Sequence, residues 1–358
     1  MSYAQNGTAI ITLVMPPPGG DGYSALQSGA SLPEGAASLY YNPALLAELE
    51  RTTGSRTFYT QSRQDLLPIL SLDIYQTFWA AAVVIPEPEK GTDVGIGFFR
   101  NYVSFGESIA TDSNFNAIGT FQSDETVYGM GLAKRLGIPV GLGGTLKYFD
   151  SDLAHVVARG WAIDFGAEVN PCIAPTPKSR WAAITFTPSM AVTVRNLGRD
   201  VYYIDPKEAD PIPTTYSLAF GSRLVGFDMI EIEGGMDFDQ EWTARSRNWQ
   251  PQRTLGYSCS FLGIRYSEGW LDDPLGKRWE KHTAGAFEFN FLKFNRCLRR
   301  FQLGDFTSPS QNMDPPAAKI WGVPFPANPR VVVGTRKIES SREGVRLGQK
   351  AFYFSLAL

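Results

Sequence analysis

Trp161-Ala162-Ile163-Asp164-Phe165-Gly166-Ala167-Glu168-Val169 places large apolar side chains at 161, 163, 165 and 169, and small or acidic ones at 162, 164, 166 and 168. A period of two is the signature of an extended strand with two chemically different faces. The same parity returns along most of the chain. Phe186, Met190, Val192 and Val194 alternate with Thr185, Thr187, Ser189, Ala191 and Thr193; Tyr216, Leu218 and Phe220 with Ser217, Ala219 and Gly221; Phe287, Phe289 and Phe291 with Ala286, Glu288 and Asn290. Earlier strands carry glycine on the small face: Ile96 and Phe98 against Gly95 and Gly97, Tyr128 and Met130 against Gly129 and Gly131, Leu142 and Leu146 against Gly141 and Gly143. At Phe261-Leu262 the parity slips by one, which reads as a bulge.

Alternation alone also suits a water-soluble sandwich. Two features point instead to a transmembrane antiparallel up-and-down barrel, an all-β fold. The alternating stretches run to about ten residues, the length of a tilted bilayer crossing. The second face is Gly, Ala, Ser and Thr with isolated carboxylates, as a narrow polar lumen requires. Phe352, Phe354, Leu356 and Leu358 continue the pattern to the carboxyl end and read as the closing strand and the signal for outer-membrane insertion. On this reading Phe165, Phe186 and Phe289 look outward at lipid.

One stretch does not fit the strands. Gly29 to Leu46, centred on Asn42-Pro43-Ala44, is rich in small residues and turn formers. Pro43 fixes its own φ and drives Asn42 out of the helical region, so the chain bends there. The expectation is a plug over residues 1–52 inside a barrel formed by 53–358, with Ala9 to Met15 as a short apolar strand and Leu45 to Glu50 as one helical turn. Ser2-Tyr3-Ala4 resembles the end of an export signal, although a positive start and an apolar core are missing.

The 358 residues carry a formal net charge of −3, with 19% charged and 13% aromatic residues, and no run of eighteen apolar residues. Nothing in that balance points to nucleic acid, and the apolar runs are too short for membrane helices. Cys172, Cys259 and Cys297 are far apart, odd in number and without metal-ligand spacing. His155 and His282 read as residues beside loops, no nucleophile elbow or phosphate loop occurs, and neither catalysis, a metal nor another cofactor is expected.

Glu231, Glu233, Asp237 and Asp239 share a face, and Arg195 and Arg223 have inward parity. Together they read as a lumen charge network pinning strands and plug. The inward positions are otherwise small, rarely large and apolar. Residues 242–250, with Trp242, Arg245 and Trp249, and the excursion 299–329, with Trp321 and Phe325, are candidate partner-binding loops. Both are expected on the outer face, where long barrel loops gather.

Several stretches resemble, in order, the PorV/PorQ branch of the FadL-like outer-membrane barrels. They are the apolar segment ending at Pro16, the approach to Asn42-Pro43-Ala44 with Leu45-Leu46, Pro68 to Tyr75, Gly141 to Leu153 with its Lys147 and Ser151-Asp152-Leu153, and Asn196-Leu197-Gly198 with Pro213 after it. The resemblance implies about fourteen strands in a bacterial outer membrane, in contact with its lipid and lipopolysaccharide. PorV-like members serve type IX secretion, associating with a large translocon barrel and binding cargo signal domains. FadL-like members pass fatty acids and other hydrophobic molecules through the barrel. The small and charged inward positions favour the secretion reading.

Overall fold

The computed structural model describes residues 10–17, 31–32, 35–53, 55–66, 73–87, 92–136, 138–154, 156–171, 184–205, 207, 209–226, 230–242, 251–273, 278–290, 319–320, 323–324, 330–342 and 345–358. Their strands are β1 Thr57–Asp65, β2 Ile74–Glu87, β3 Thr92–Thr111, β4 Ala117–Arg135, β5 Val140–Leu153, β6 Val156–Val169, β7 Ile184–Gly198, β8 Thr214–Gly226, β9 Ile230–Trp242, β10 Gln252–Phe261, β11 Ile264–Asp273, β12 Arg278–Asn290, β13 Lys319–Ile320, β14 Val323–Pro324, β15 Arg330–Arg342 and β16 Val345–Ala357. β13 and β14 form a two-stranded sheet of their own; the other fourteen close into one antiparallel barrel. β16 lies between β15 and β1, with Tyr353 opposite Gly334 on one side and Ser62 on the other. The last strand thus has no free edge to offer.

The outward parity read from the sequence holds. Phe165, Phe186 and Phe289 are 55%, 41% and 45% exposed on the outer wall. Phe352 and Phe354 of β16 face out as well, while Leu356 and Leu358 are half-buried.

Two sequence expectations fail here. Phe261-Leu262 is not a bulge. Phe261 pairs with Ile264, and Leu262 and Gly263, with φ of 51° and 86°, make the two-residue turn of the β10–β11 hairpin. Primed hairpin turns need such positive φ values, so the parity changes because the chain reverses. Nor is the expected strand of Ala9 to Met15 seen over Ile10 to Met15; Ala9 lies outside the described residues. Ile11–Leu13 is a turn of 3-10 helix inside the lumen, entered through Ile10 at φ 61°, where no neighbouring strand edge is open to pair with it.

Since β1 begins and β16 ends at the same rim, the direction of every strand is fixed. Asn290 and Arg330, which bound the long excursion, lie at this terminal rim, whereas Trp242 and Gln252, which bound the other candidate loop, lie at the opposite one. The two connections therefore leave the barrel at opposite rims, an odd number of crossings apart.

A nitroxide on Phe165→Cys or Phe186→Cys is expected to be relaxed strongly by oxygen and weakly by a water-soluble nickel reagent in bilayers. On Thr193→Cys, buried on the inner face, it is shielded from both. Nickel access at Phe165 would remove the membrane assignment.

Candidate functional site: the plugged lumen

Pro43–Glu48 forms a 3-10 helix and Leu49–Thr53 an α-helical turn, preceded by the short helix Ser38–Tyr41. Asn42, at φ −151°, is extended as a residue before proline must be, and its side chain caps the 3-10 helix by accepting the N–H of Ala44 at 3.0 Å. This unit lies against glycines of β3, β5 and β6. A Cβ on Gly143 would stand 2.6 Å from the Pro43 carbonyl carbon, one on Gly95 2.7 Å from Leu46, and one on Gly166 would strike the Asn42 side chain. The small inner face of these strands is therefore the imprint of the plug's main chain. Leu39, Tyr40, Leu45, Leu46 and Leu49 are all fully buried.

Large apolar groups also point inward, against expectation. Phe58, Phe78, Phe99 and Phe149 are buried in the lumen, with Tyr40 packed 6.3 Å from Phe78 and 5.7 Å from Phe99, ring to ring. Adjacent glycines hid this from the sequence reading, because space for a ring comes from the next strand: a Cβ on Gly129 would strike the ring of Phe99 and one on Gly160 that of Phe149. The aromatic half lies on β1–β5. Beyond Leu13 a second cluster of Met15, Leu66 and Val103, flanked by Ile11, Ile74 and Phe105, carries the apolar lining towards the rim opposite the termini. There β3 sets Phe105 and Gly106 against Ser123 of β4, a bulge with Gly106 at φ 77°.

The segment Ile10 to Pro17 crosses the upper lumen as a strap held mainly through its main chain. Asn101 donates to the carbonyls of Thr12 and Met15 at 3.1 and 3.0 Å, Gln76 to that of Pro16 at 3.0 Å, and Asn196 to that of Leu13 at 3.3 Å. The Tyr40 hydroxyl lies 3.1 and 2.9 Å from the carbonyl oxygens of Leu13 and Met15. Glu125 accepts both the N–H and the hydroxyl of Thr12, at 3.0 and 2.8 Å.

Asn196 reaches the strap because β7 bulges. Asp164 of β6 faces two residues, Arg195 and Asn196, and Asn196 takes φ 60°, so both turn inward. Asp164 accepts the Asn196 N–H at 2.7 Å and pairs with Lys147 at 2.6 Å; Lys147 donates to the Asn196 side chain at 2.8 Å and lies 5.3 Å from the Tyr40 ring centre. Removing water from such a pair is repaid only when its remaining polar groups are satisfied, which the bulge achieves.

The lumen charges divide into two groups. Near the terminal rim Arg223 pairs with Glu231 and, at 3.1 Å, with Glu233, while Arg265 pairs with Glu288 at 3.1 Å and approaches Glu231 at 3.6 Å. Arg223 also donates to the Thr52 carbonyl at 3.1 Å, joining this group to the plug. Arg195 belongs elsewhere, pairing with Asp239 at 3.3 Å towards the opposite rim. Buried Asp237 stands between the groups on β9. Glu231 and Asp239 stand eight residues apart along one strand, some 26 Å at the usual rise, so the two groups make no direct pair with one another. Arg265 was missed for the same reason as the hairpin: once Leu262-Gly263 is read as a turn, Arg265 falls on the inner face. His282 is not beside a loop but within β12, buried, with Nε2 2.9 Å from Glu280 and Nδ1 accepting from Arg336 at 3.0 Å.

Arg245, Trp249, Trp321, Phe325, His155, Cys172 and Cys297 lie outside the described residues, as does the side chain of Trp242. Cys259 is a free, exposed thiol on β10.

No family model matches the chain, and no curated protein does. Among solved structures, the toluene transporter TodX of Pseudomonas putida is similar at 9% identity over 95% of this chain and 97% of that one, with a TM-score of 0.47. The toluene transporter TbuX of Ralstonia pickettii is similar at 8% identity over 94% and 97%, with a TM-score of 0.46. At these values the likeness is one of outline, and it implies no ligand.

Gly143→Val, which drives a side chain into the Pro43 main chain, is expected to lower stability by about 1–3 kcal/mol. Lys147→Met, which strips a buried carboxylate of its cation, should cost about 3–5 kcal/mol. Gly119→Val, with nothing within 4 Å of its new Cβ, is the neutral control. Urea midpoints at unchanged slope give the order.

Proposed function

We propose that this chain is a bacterial outer-membrane conduit for apolar small molecules, with its N-terminal segment as the resident gate. The observation that carries this is the apolar wall on one side of the lumen, with Val84 near the terminal rim, Phe78 and Phe99 in the middle and Leu66 and Val103 beyond them, against which Leu49, Tyr40 and Met15 of the N-terminal segment pack. A lumen that served only to be filled could be lined with the small and charged residues seen on the other side. An apolar ligand needs concave apolar surface with few polar groups.

Magnitudes identify the moving part. Expelling the whole plug would expose Leu39, Tyr40, Leu45, Leu46 and Leu49, at about 2 kcal/mol each or roughly 10 kcal/mol together. Shifting the strap alone uncovers fewer side chains, and a ligand that enters beside Val103 and Leu66 replaces the contacts Met15 gives up. The strap is thus the gate and residues 35–53 its fixed seat.

In a variant with Cys172, Cys259 and Cys297 replaced by Ser, Met15→Cys paired with Val103→Cys should form a disulfide that ties the strap to β3. Uptake of a fluorescent fatty acid into proteoliposomes is expected to fall at least tenfold on oxidation and to recover on reduction. Uptake no faster than in protein-free liposomes, in either state, would refute the conduit.

A second reading is supported by the sequence resemblance: an adaptor of type IX secretion that binds a large translocon barrel and cargo signal domains. Recovery of either from detergent-solubilised envelopes with the tagged chain would favour it over transport.

A further inference from the structure

The outer wall is of two kinds. Across β4–β9 the outward positions are mostly apolar, as Leu132, Leu146, Phe165, Val192, Phe220 and Ile232 illustrate, all well exposed, and the charged pair Asp150–Arg159 stands close to the ends of β5 and β6. Across β11 and β12 charge reaches further along the wall. β11 has ten residues, just enough for one tilted crossing, so Glu268, its fifth, stands at half height. Glu268 faces outward, pairs with Lys281 of β12, and accepts from the hydroxyls of Tyr257 and Tyr266 at 2.8 and 3.3 Å. Charged groups on the lipid face are costliest near the midplane, and lipid tails offer a pair held there neither charge nor hydrogen bonds.

Beside this pair the wall is hollow. Gly285 of β12 has nothing within 4 Å of where a Cβ would project. It opens a trench of about 610 Å³ that runs over β15 and β16 to Arg63 of β1, between Phe287, Phe352 and Phe354. The same patch holds a prominent knob, Phe352 at 65% exposure, as well as the hollow. It holds both signs of charge, in Glu268 and Lys281, and again in Lys337 and Glu339 of β15, paired at 2.6 Å. A surface that contains its own knob, its own hollow and both charges fits a copy of itself turned by a two-fold axis.

We propose that β11, β12, β15, β16 and β1 form a dimer interface within the membrane, occupied by a second copy of this chain. The Phe352 ring of each copy enters the hollow over Gly285 of the other. The polar pairs at half height then meet protein in place of lipid.

The full chain reconstituted in lipid vesicles at several protein-to-lipid ratios, labelled once per chain, gives the copy number by single-molecule photobleaching. Two-step traces are expected to predominate for the wild type. Gly285→Phe, whose Cβ meets nothing within 4 Å and whose ring fills the hollow, should raise the apparent dissociation constant at least tenfold. Its heat-modifiable migration in gels, the sign of an intact barrel, should not change. Thr335→Cys, near the axis in a chain otherwise free of cysteine, should cross-link to a species of twice the mass. One-step traces at every ratio, a dimer indifferent to Gly285→Phe, or a monomer that retains lipid in the trench would each overturn the proposal.

Discussion

The structure depends on one steric constraint: a barrel of fourteen strands is wider than its own side chains can fill, so its core must come from elsewhere in the chain. The inner faces of β3, β5 and β6 are cut back to glycine where residues 42–46 pass, and main chain meets main chain at distances no Cβ would allow. Glycine in a strand interior gives up side-chain packing and weakens the strand. Here the plug supplies that packing, and barrel and plug are parts of one core.

Polar groups on the plug's main chain create the second demand. A segment that crosses a lumen without joining a sheet leaves its N–H and C=O groups unpaired, and buried groups of that kind are costly. Asn101, Gln76, Asn196, Tyr40 and Glu125 answer them one by one. The β7 bulge belongs to the same answer, because it turns Asn196 to the inside beside Lys147 and Asp164. Contacts with backbone carbonyls do not depend on which side chains the strap carries.

The two sides of the lumen and the two sides of the outer wall differ for related reasons. Inside, aromatic rings gather on β1–β5, where neighbouring glycines leave them room, while the Arg223–Arg265 ion pairs lie on β8–β12 and Lys147–Asp164 on β5–β6 between the two. Outside, the charged pair of β5 and β6, Asp150–Arg159, lies close to the strand ends, whereas Glu268 of β11 and Lys281 of β12 stand at mid-wall.

Much of the fold is legible in the residues themselves. Period-two alternation over ten or more residues determines strands with an apolar and a small face, and it correctly sends Phe165, Phe186 and Phe289 outward, because parity is local and survives any tertiary arrangement. Pro43 alone determines that Asn42 is extended. Local parity cannot give what depends on neighbours brought together by closure. That Arg265 joins Arg223 rather than Arg195, that the two long connections leave opposite rims, that the glycines of β4 and β6 make room for Phe99 and Phe149, and that Ile11–Leu13 coils where its composition suggests a strand were all decided by the tertiary structure. In each case the deciding partner lies on another strand or across the lumen, and spacing along one strand carries no record of it.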